Sequence, residues 1–270
     1  MAANPPQRTP VNNNPSDRRV AIVTGGRRGI GRAIAYDLAQ AGFDLVLNDA
    51  VADSALVNTL EGVRQRGAQV EFEHADISDL ATHDRIVDTA YRRFGRLDVL
   101  VNNAGIQVRQ RGDLLDVTPE GFDEIMGINL RGNFFMTQNV SRRMLGDGRP
   151  TEGRSIVILS SSNAELVSVE KSGYCISKTG LSMTVKLFAV RLAQAGIMVF
   201  EIRPGLIRTD MTAEVRQKYG DLIEQGLSPV RRWGEPEEVG RTVTTLVSGM
   251  LPFATGMAID TGGGLLIPRL

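Results

Sequence analysis

Short apolar runs alternate with longer amphipathic stretches from Arg19 onward. The runs are rich in β-branched residues and have the length of strands, whereas the stretches between them carry apolar residues at helical spacing. This alternation predicts βαβ units that build a parallel sheet. The predicted strands are residues 19–24, 44–48, 69–74, 97–102, 155–160, 197–202 and 257–260.

Several of these strands are apolar at nearly every position, as burial between two helical layers requires. The expected fold is therefore α/β: a single-domain, Rossmann-like, doubly wound parallel sheet of about seven strands with helices on both faces, spanning residues 19–270. Residues 206–235 depart from the pattern, because glycines and prolines follow a short helical stretch at 213–225, and they predict a flap-like insertion, to which the family resemblance described below assigns the role of a substrate loop. The main helical patterns cover residues 29–41, 53–66, 79–94, 119–145, 173–194 and 236–248.

Composition narrows the class of protein. Residues 1–18 are rich in Pro, Asn and Arg without the apolar stretch of a signal peptide, and they predict a disordered N-terminal tail. Lys plus Arg equals Asp plus Glu at 31 each, so the net charge does not favour a nucleic-acid partner, and we expect none. We also expect no membrane partner, because no apolar run is long enough to span a bilayer. One cysteine and two histidines offer neither a disulfide nor a metal cluster. A cytoplasmic protein with a small-molecule substrate is expected.

The stretch TGGRRGIG, residues 24–31, joins the first strand to the first helix. Free N–H groups and the positive end of a helix hold phosphate well, and glycines let the ligand approach the backbone. A P-loop is excluded, because Gly31 is followed by Arg32 and Ala33 instead of lysine and a hydroxyl residue. A tight strand-to-helix turn would also need glycine, which is the ordinary alternative.

Four further motifs follow in order: NNAG at residues 102–105, NLRG at 129–132, an S-x12-Y-x3-K arrangement of Ser161, Tyr174 and Lys178, and RPGLIRTD at 203–210. Taken alone, each motif has an ordinary interpretation; Tyr174 and Lys178, for example, could be a surface pair on a helix. Together with the T-G-x3-G-x-G turn they resemble the short-chain dehydrogenase/reductase family over about residues 19–264. The sequence looks most like the 3-oxoacyl-(acyl-carrier-protein) reductase branch.

Tyr174 and Lys178 are four residues apart on a predicted helix and so share one face. A phenol with a pKa of about 10 is a poor base at neutral pH, and a nearby ammonium together with an oxidised nicotinamide would favour the phenolate. Tyr174 is thus the predicted proton-transfer group and Ser161 the predicted partner of the reacting oxygen, with Ser160 and Ser162 as alternatives. The resemblance further implies that Lys178 holds the cofactor ribose and that Asn129 steadies a proton-relaying water.

The expected cofactor is NAD, with NADP as the alternative. Asp49 lies at the end of the second predicted strand, where an acidic side chain accepts a hydrogen bond from the adenosine ribose of NAD and repels the 2′-phosphate of NADP. Asp49 could instead be a turn or capping residue. Arg28 points the other way, because a basic residue at its position often accompanies NADP. The resemblance implies that the cofactor is bound by Gly25, Arg27, Arg28, Gly29, Ile30, Gly31, Asp49, Asp76, Ile77, Asn103, Ala104, Gly105, Tyr174, Lys178, Pro204, Gly205, Ile207 and Thr209.

The expected activity is NAD(P)-dependent transfer of hydride to or from a secondary alcohol or ketone, with a polar or polyol-like substrate favoured. One alternative is an NADPH-dependent 3-oxoacyl-(acyl-carrier-protein) reductase, and another is a dinucleotide-binding sensor or scaffold without turnover. The resemblance implies a homotetramer, although core burial explains many of the same apolar residues. Four arginines could attract an acidic group or be merely solvated: Arg109, Arg111, Arg142 and Arg143.

Overall fold

Seven parallel strands form one sheet. The computed structural model describes residues 18–269, so the predicted N-terminal tail lies outside the described residues except for Arg18. The strands are β1 (Arg19–Thr24), β2 (Phe43–Asp49), β3 (Val70–His74), β4 (Val99–Asn102), β5 (Ser155–Leu159), β6 (Met198–Pro204) and β7 (Ala258–Thr261). Their order across the sheet is β3-β2-β1-β4-β5-β6-β7.

Helices cover both faces of the sheet, which confirms the predicted fold class. The helices are α1 (Gly29–Gln40), α2 (Ser54–Gln65), α3 (His83–Phe94), α4 (Pro119–Ile125), α5 (Asn133–Gly146), α6 (Ser172–Leu192), α7 (Arg216–Glu224) and α8 (Pro236–Leu246). Along β1, Ala21 and Val23 face a core shared with α1 and α8, while Val20 and Ile22 face a second core shared with α3, α5 and α6. Burial on both faces explains why the strands are apolar at consecutive positions.

The helix predicted over residues 119–145 is interrupted. A π-helical segment, Met126–Gly132, separates α4 from α5. The Asn133 side chain donates to the carbonyl oxygens of Asn129 at 2.8 Å and Ala104 at 3.1 Å, and such bonds compete with the backbone ladder of a regular helix. The sequence pattern does not reveal this change, because the buried positions keep helical spacing through it.

Residues 206–235 form a segment beside the carboxyl ends of the strands. Ile207 pairs with Gly234 in a short parallel bridge that closes the base of the segment, and α7 lies between them. Within residues 18–269, no helix is long and apolar enough to cross a membrane, and no three His, Cys, Asp or Glu side chains are arranged to hold a metal ion.

Candidate active site

A cavity of about 630 Å³ lies at the carboxyl ends of the strands. It includes the point between β1 and β4 where the strand order reverses, which is where open parallel sheets bind ligands. Every residue that the sequence led us to expect around the cofactor lines this cavity, and so do Ser161, Tyr174 and Lys178. Asn129 is fully buried behind the cavity wall.

The glycine-rich turn brings bare backbone to one side of the cavity. A Cβ on Gly31 would lie 2.0 Å from the carbonyl oxygen of Gly25, so only glycine fits there. Arg28 precedes α1 and gives it no side-chain cap, which leaves the first N–H groups of the helix available to an anion.

Thr24 ties this turn to the NNAG motif, a role that sequence reasoning missed. Its Oγ1 accepts hydrogen bonds from the backbone N–H groups of Asn103 at 3.1 Å and Ala104 at 3.0 Å. The Asn103 side chain in turn donates to the carbonyl oxygens of Thr24 and Gly25, both at 2.9 Å. The two strand ends that flank the cavity are therefore held in a fixed relation.

Asp49 lies in the cavity wall with its carboxylate partly engaged. Oδ1 accepts from the N–H of Val51 at 3.1 Å, and Nε of Arg27 lies 3.5 Å from the same oxygen. These contacts are those of a turn residue, yet the carboxylate keeps acceptor capacity toward the cavity. Arg28 instead forms an ion pair with Asp210 at 2.9 Å, which links the glycine-rich turn to the 206–235 segment.

Tyr174 and Lys178 lie one turn apart on α6, and both line the cavity. Nζ of Lys178 is 5.5 Å from the centre of the Tyr174 ring and donates to the carbonyl oxygen of Leu159 at 3.1 Å. Burial lowers the pKa of Lys178 to about 8, so its charge is easily lost above neutral pH.

Burial raises the pKa of Tyr174, and a hydrogen bond with Ser161 is the largest opposing influence. We expected a lowered pKa from the sequence, but in the protein alone the cost of desolvating a phenolate exceeds the help from nearby groups. Ser160 points elsewhere, because its Oγ donates to the buried carboxylate of Glu201 at 2.5 Å. Ser161 is thus the serine of the two whose hydroxyl acts on the phenol.

Asn129 connects the π-helical segment to its neighbours. Its Oδ1 accepts from the N–H of Ile106 at 2.8 Å, and its Nδ2 donates to the Ile106 carbonyl at 2.9 Å and to Oγ of Ser177 at 3.2 Å. The side chain therefore joins the loop after β4 to the helix that carries Tyr174.

Lys171 is a cavity residue that sequence reasoning missed. Its Nζ lies 5.6 Å from the centre of the Tyr174 ring. Lys171 lies just before α6, outside the helix predicted from residue 173, so helical spacing in the sequence gave no signal for it. Arg111 also lines the cavity, whereas Arg109 pairs with Glu124 and Arg143 with Asp88 outside it.

Comparisons with known proteins agree with this geometry. The model of the family described as enoyl-(acyl carrier protein) reductase matches residues 25–266. Versicolorin reductase 1 of Aspergillus parasiticus is 34% identical over 264 residues, covering 93% of this chain and 98% of that protein. The 3-oxoacyl-[acyl-carrier-protein] reductase of Aquifex aeolicus is 34% identical over 254 residues, covering 92% and 97%.

Among solved structures, a 3-oxoacyl-[acyl-carrier protein] reductase from Brucella melitensis in complex with NAD superposes with a TM-score of 0.91 at 48% identity, covering 94% of this chain and 99% of that one. The fold and site define a nicotinamide-dependent oxidoreductase. The chain belongs to the short-chain dehydrogenase/reductase family, and it acts with NAD(P) on the alcohol/ketone pair.

Proposed function

We propose that Tyr174 is the general acid and base for a secondary alcohol or ketone, that Ser161 binds the reacting oxygen, and that Lys178 and Asn129 support the tyrosine. The observation that carries this proposal is the placement of a phenol, a serine hydroxyl and a buried ammonium in the same cavity as an uncapped helix N-terminus. A protein that only binds a dinucleotide has no need of the first two groups.

The residues around the cavity fit a nicotinamide dinucleotide. The glycine-rich turn and the start of α1 would hold its pyrophosphate, since the N–H groups there have no side-chain cap. Asp49 would accept a hydrogen bond from the adenosine ribose and repel a 2′-phosphate, which favours NAD over NADP. When bound, the cofactor accepts a hydride from the alcohol carbon or returns one to the carbonyl carbon.

Proton transfer falls to Tyr174. In oxidation its phenolate takes the hydroxyl proton of the alcohol, and in reduction the phenol returns a proton to the carbonyl oxygen. Ser161 donates a hydrogen bond to that oxygen as charge develops on it, an effect worth about 3 kcal/mol in comparable sites. The Lys178 ammonium favours the phenolate, and Asn129 positions α6 through Ser177.

The surroundings suggest how the site is organised. We infer one catalytic domain over residues 19–270, with the 206–235 segment closing over the substrate, because Met211, Val215 and Tyr219 line the cavity. Asn163 and Gln107 also line it and favour a polar substrate. A cytoplasmic location and a homotetramer complete the proposal. The apolar side chains of Met183, Leu187 and Val190, exposed at helical spacing on α6, support the tetramer.

A second candidate activity is reduction of a 3-oxoacyl thioester on a carrier protein. It is favoured by the similarity to the Brucella melitensis and Aquifex aeolicus reductases. Assay of acetoacetyl thioesters beside simple ketones would separate the two activities.

The decisive experiment compares the wild type with Tyr174→Phe. Purified protein is assayed with polyols, sugar acids, ketones and acyl thioesters while reduced nicotinamide is followed by its absorbance. Loss of the phenolic hydroxyl should lower kcat by about 10²- to 10⁴-fold while the dissociation constant of NADH stays within a factor of a few. Full activity in Tyr174→Phe would refute the proposed role.

A further inference from the structure

Two basic side chains lie together at the catalytic end of the cavity. Lys171 and Arg111 both line it, and Nζ of Lys171 is 5.6 Å from the centre of the Tyr174 ring. Arg111 is within electrostatic range of both groups. Burial lowers the pKa of Lys171 and the charge of Arg111 lowers it further, whereas burial raises the pKa of Tyr174 and the charge of Arg111 slightly opposes that rise. Lys171 and Arg111 are called the cationic pair below.

Across the described residues, no carboxylate forms an ion pair with either member of the cationic pair, although the nearby charge of Glu170 partly offsets that of Lys171. Nζ of Lys171 donates to the neutral amide oxygen of Asn163 at 2.7 Å, which uses one of its three N–H donors. Within residues 18–269, Arg111 makes no hydrogen bond and no ion pair. Glu170 is the carboxylate adjacent to Lys171, and it lies 3.8 Å from Lys218.

Glu165, four residues after Ser161, is also engaged in an ion pair. Glu165 pairs with Arg203 at 2.8 Å, so its charge is balanced away from the cationic pair. Two like charges held in a partly buried cleft repel each other and lose hydration. A bound anion would offset both costs.

We propose that the cationic pair binds a carboxylate of the substrate, so that the enzyme interconverts small hydroxy acids and oxo acids. This inference rests on the proposed function, since the reacting oxygen is taken to lie at Tyr174. Because the Lys171 ammonium is so close to the phenol ring, the carboxylate and the reacting carbon are separated by only a few bonds.

Apolar lining residues of the cavity fit the carbon chain of such a substrate. Met211, Val215 and Tyr219 come from the 206–235 segment and line the cavity with apolar and aromatic surface. A carboxylate at the cationic pair would orient the molecule, while these side chains cover its hydrocarbon part. A neutral ester or thioester of the same length would lack the ionic contact.

The test uses matched substrate pairs on the full-length protein: 3-hydroxybutyrate and its methyl ester for oxidation, acetoacetate and methyl acetoacetate for reduction. The acid is expected to have at least about a tenfold higher kcat/KM than the ester. Lys171→Gln and Arg111→Gln should each remove that preference by raising KM for the acid, with KM for the ester changed less than threefold. Arg109→Gln, in which the ion pair with Glu124 outside the cavity is lost, is the matched control and should behave as the wild type.

A binding measurement makes the result independent of the substrate chosen. Malonate is titrated calorimetrically into the NADH-saturated protein, and binding should be seen in the wild type and in Arg109→Gln but not in either cationic-pair variant. Equal use of acid and ester, or malonate binding unchanged in Lys171→Gln and Arg111→Gln, would overturn the inference. Absence of any oxidoreductase activity with malonate binding intact would instead overturn the proposed function.

Discussion

Lys178 lies one helical turn beyond Tyr174, with its Nζ 5.5 Å from the centre of the phenol ring and 3.1 Å from the carbonyl oxygen of Leu159. The ammonium is thus held by backbone beside the group that it influences. Burial acts on the two side chains in opposite directions, raising the pKa of Tyr174 and lowering that of Lys178 to about 8. Burial therefore shifts both groups toward their neutral forms, although Lys178 with a pKa of about 8 stays mainly protonated at neutral pH, and positive charge beside the phenol is needed to stabilise a phenolate.

The lowered pKa of Lys178 links stability to pH. The pKa of Lys178 is about 8 in the folded protein and 10.5 in the unfolded chain. Between these two pH values, Lys178 is more fully protonated in the unfolded chain than in the folded protein. This group therefore makes the free energy of unfolding rise with pH over that range. The full effect is of the order of 3 kcal/mol. Lys178→Met should flatten the rise, as measured by urea unfolding at several pH values from 7 to 10.5. Lys186→Met, an exposed position on the same helix, should retain it. An unchanged profile in Lys178→Met would contradict the assignment.

Asp49→Asn separates two roles of this side chain. The amide keeps an acceptor oxygen for the N–H of Val51 but loses the charge that repels a 2′-phosphate and that faces Nε of Arg27 at 3.5 Å. We expect the wild type to prefer NADH over NADPH at least about tenfold in kcat/KM, and the variant to lose most of that preference with little change in Tm. If Asp49 serves only the turn, cofactor preference will be the same in both proteins.

Gly31→Ala should damage both stability and cofactor binding. The new Cβ would meet the Gly25 carbonyl oxygen at 2.0 Å, so the glycine-rich turn must move away from α1. Overpacking of this kind costs about 1–3 kcal/mol. Thermal unfolding and NADH titration would measure the two effects. Gly220→Ala on α7 is the control, because its Cβ meets no atom within 4 Å of the described residues. A Gly31→Ala protein with normal NADH affinity would show that the turn does not contact the cofactor.

Leu187→Glu should lower the assembly state. Leu187 is 57% exposed between Met183 and Val190 on α6, and a charge there would have to be desolvated in any interface built on this stripe. Light scattering should give four times the 29.3 kDa chain mass for the wild type and a smaller mass for the variant. Val57→Glu on α2, also an exposed apolar position, should leave the mass unchanged. A monomeric wild type would rule out the tetramer.

Sequence and structure agree best where local pattern decides the outcome. β1 spans residues 19–24 as predicted, and α1 begins at Gly29 as predicted. The helix predicted over residues 119–145 was wrong in its interior, since a π-helical segment depends on contacts that the Asn133 side chain makes with distant backbone. The sequence also did not show that burial raises the pKa of Tyr174 in the protein without cofactor, because burial is a property of the packed molecule.

The amino-acid order by itself determined the doubly wound sheet, the glycine-rich turn and the spacing of Ser161, Tyr174 and Lys178, because strand and helix periods and short loops are written in neighbouring residues. Only the tertiary structure decided that Arg111 and Lys171 line the same cavity as Tyr174, that Arg28 pairs with Asp210, and that Asn129 is buried behind the cavity. These relations join residues far apart in the chain, and their distances are set by how the helices pack on the sheet.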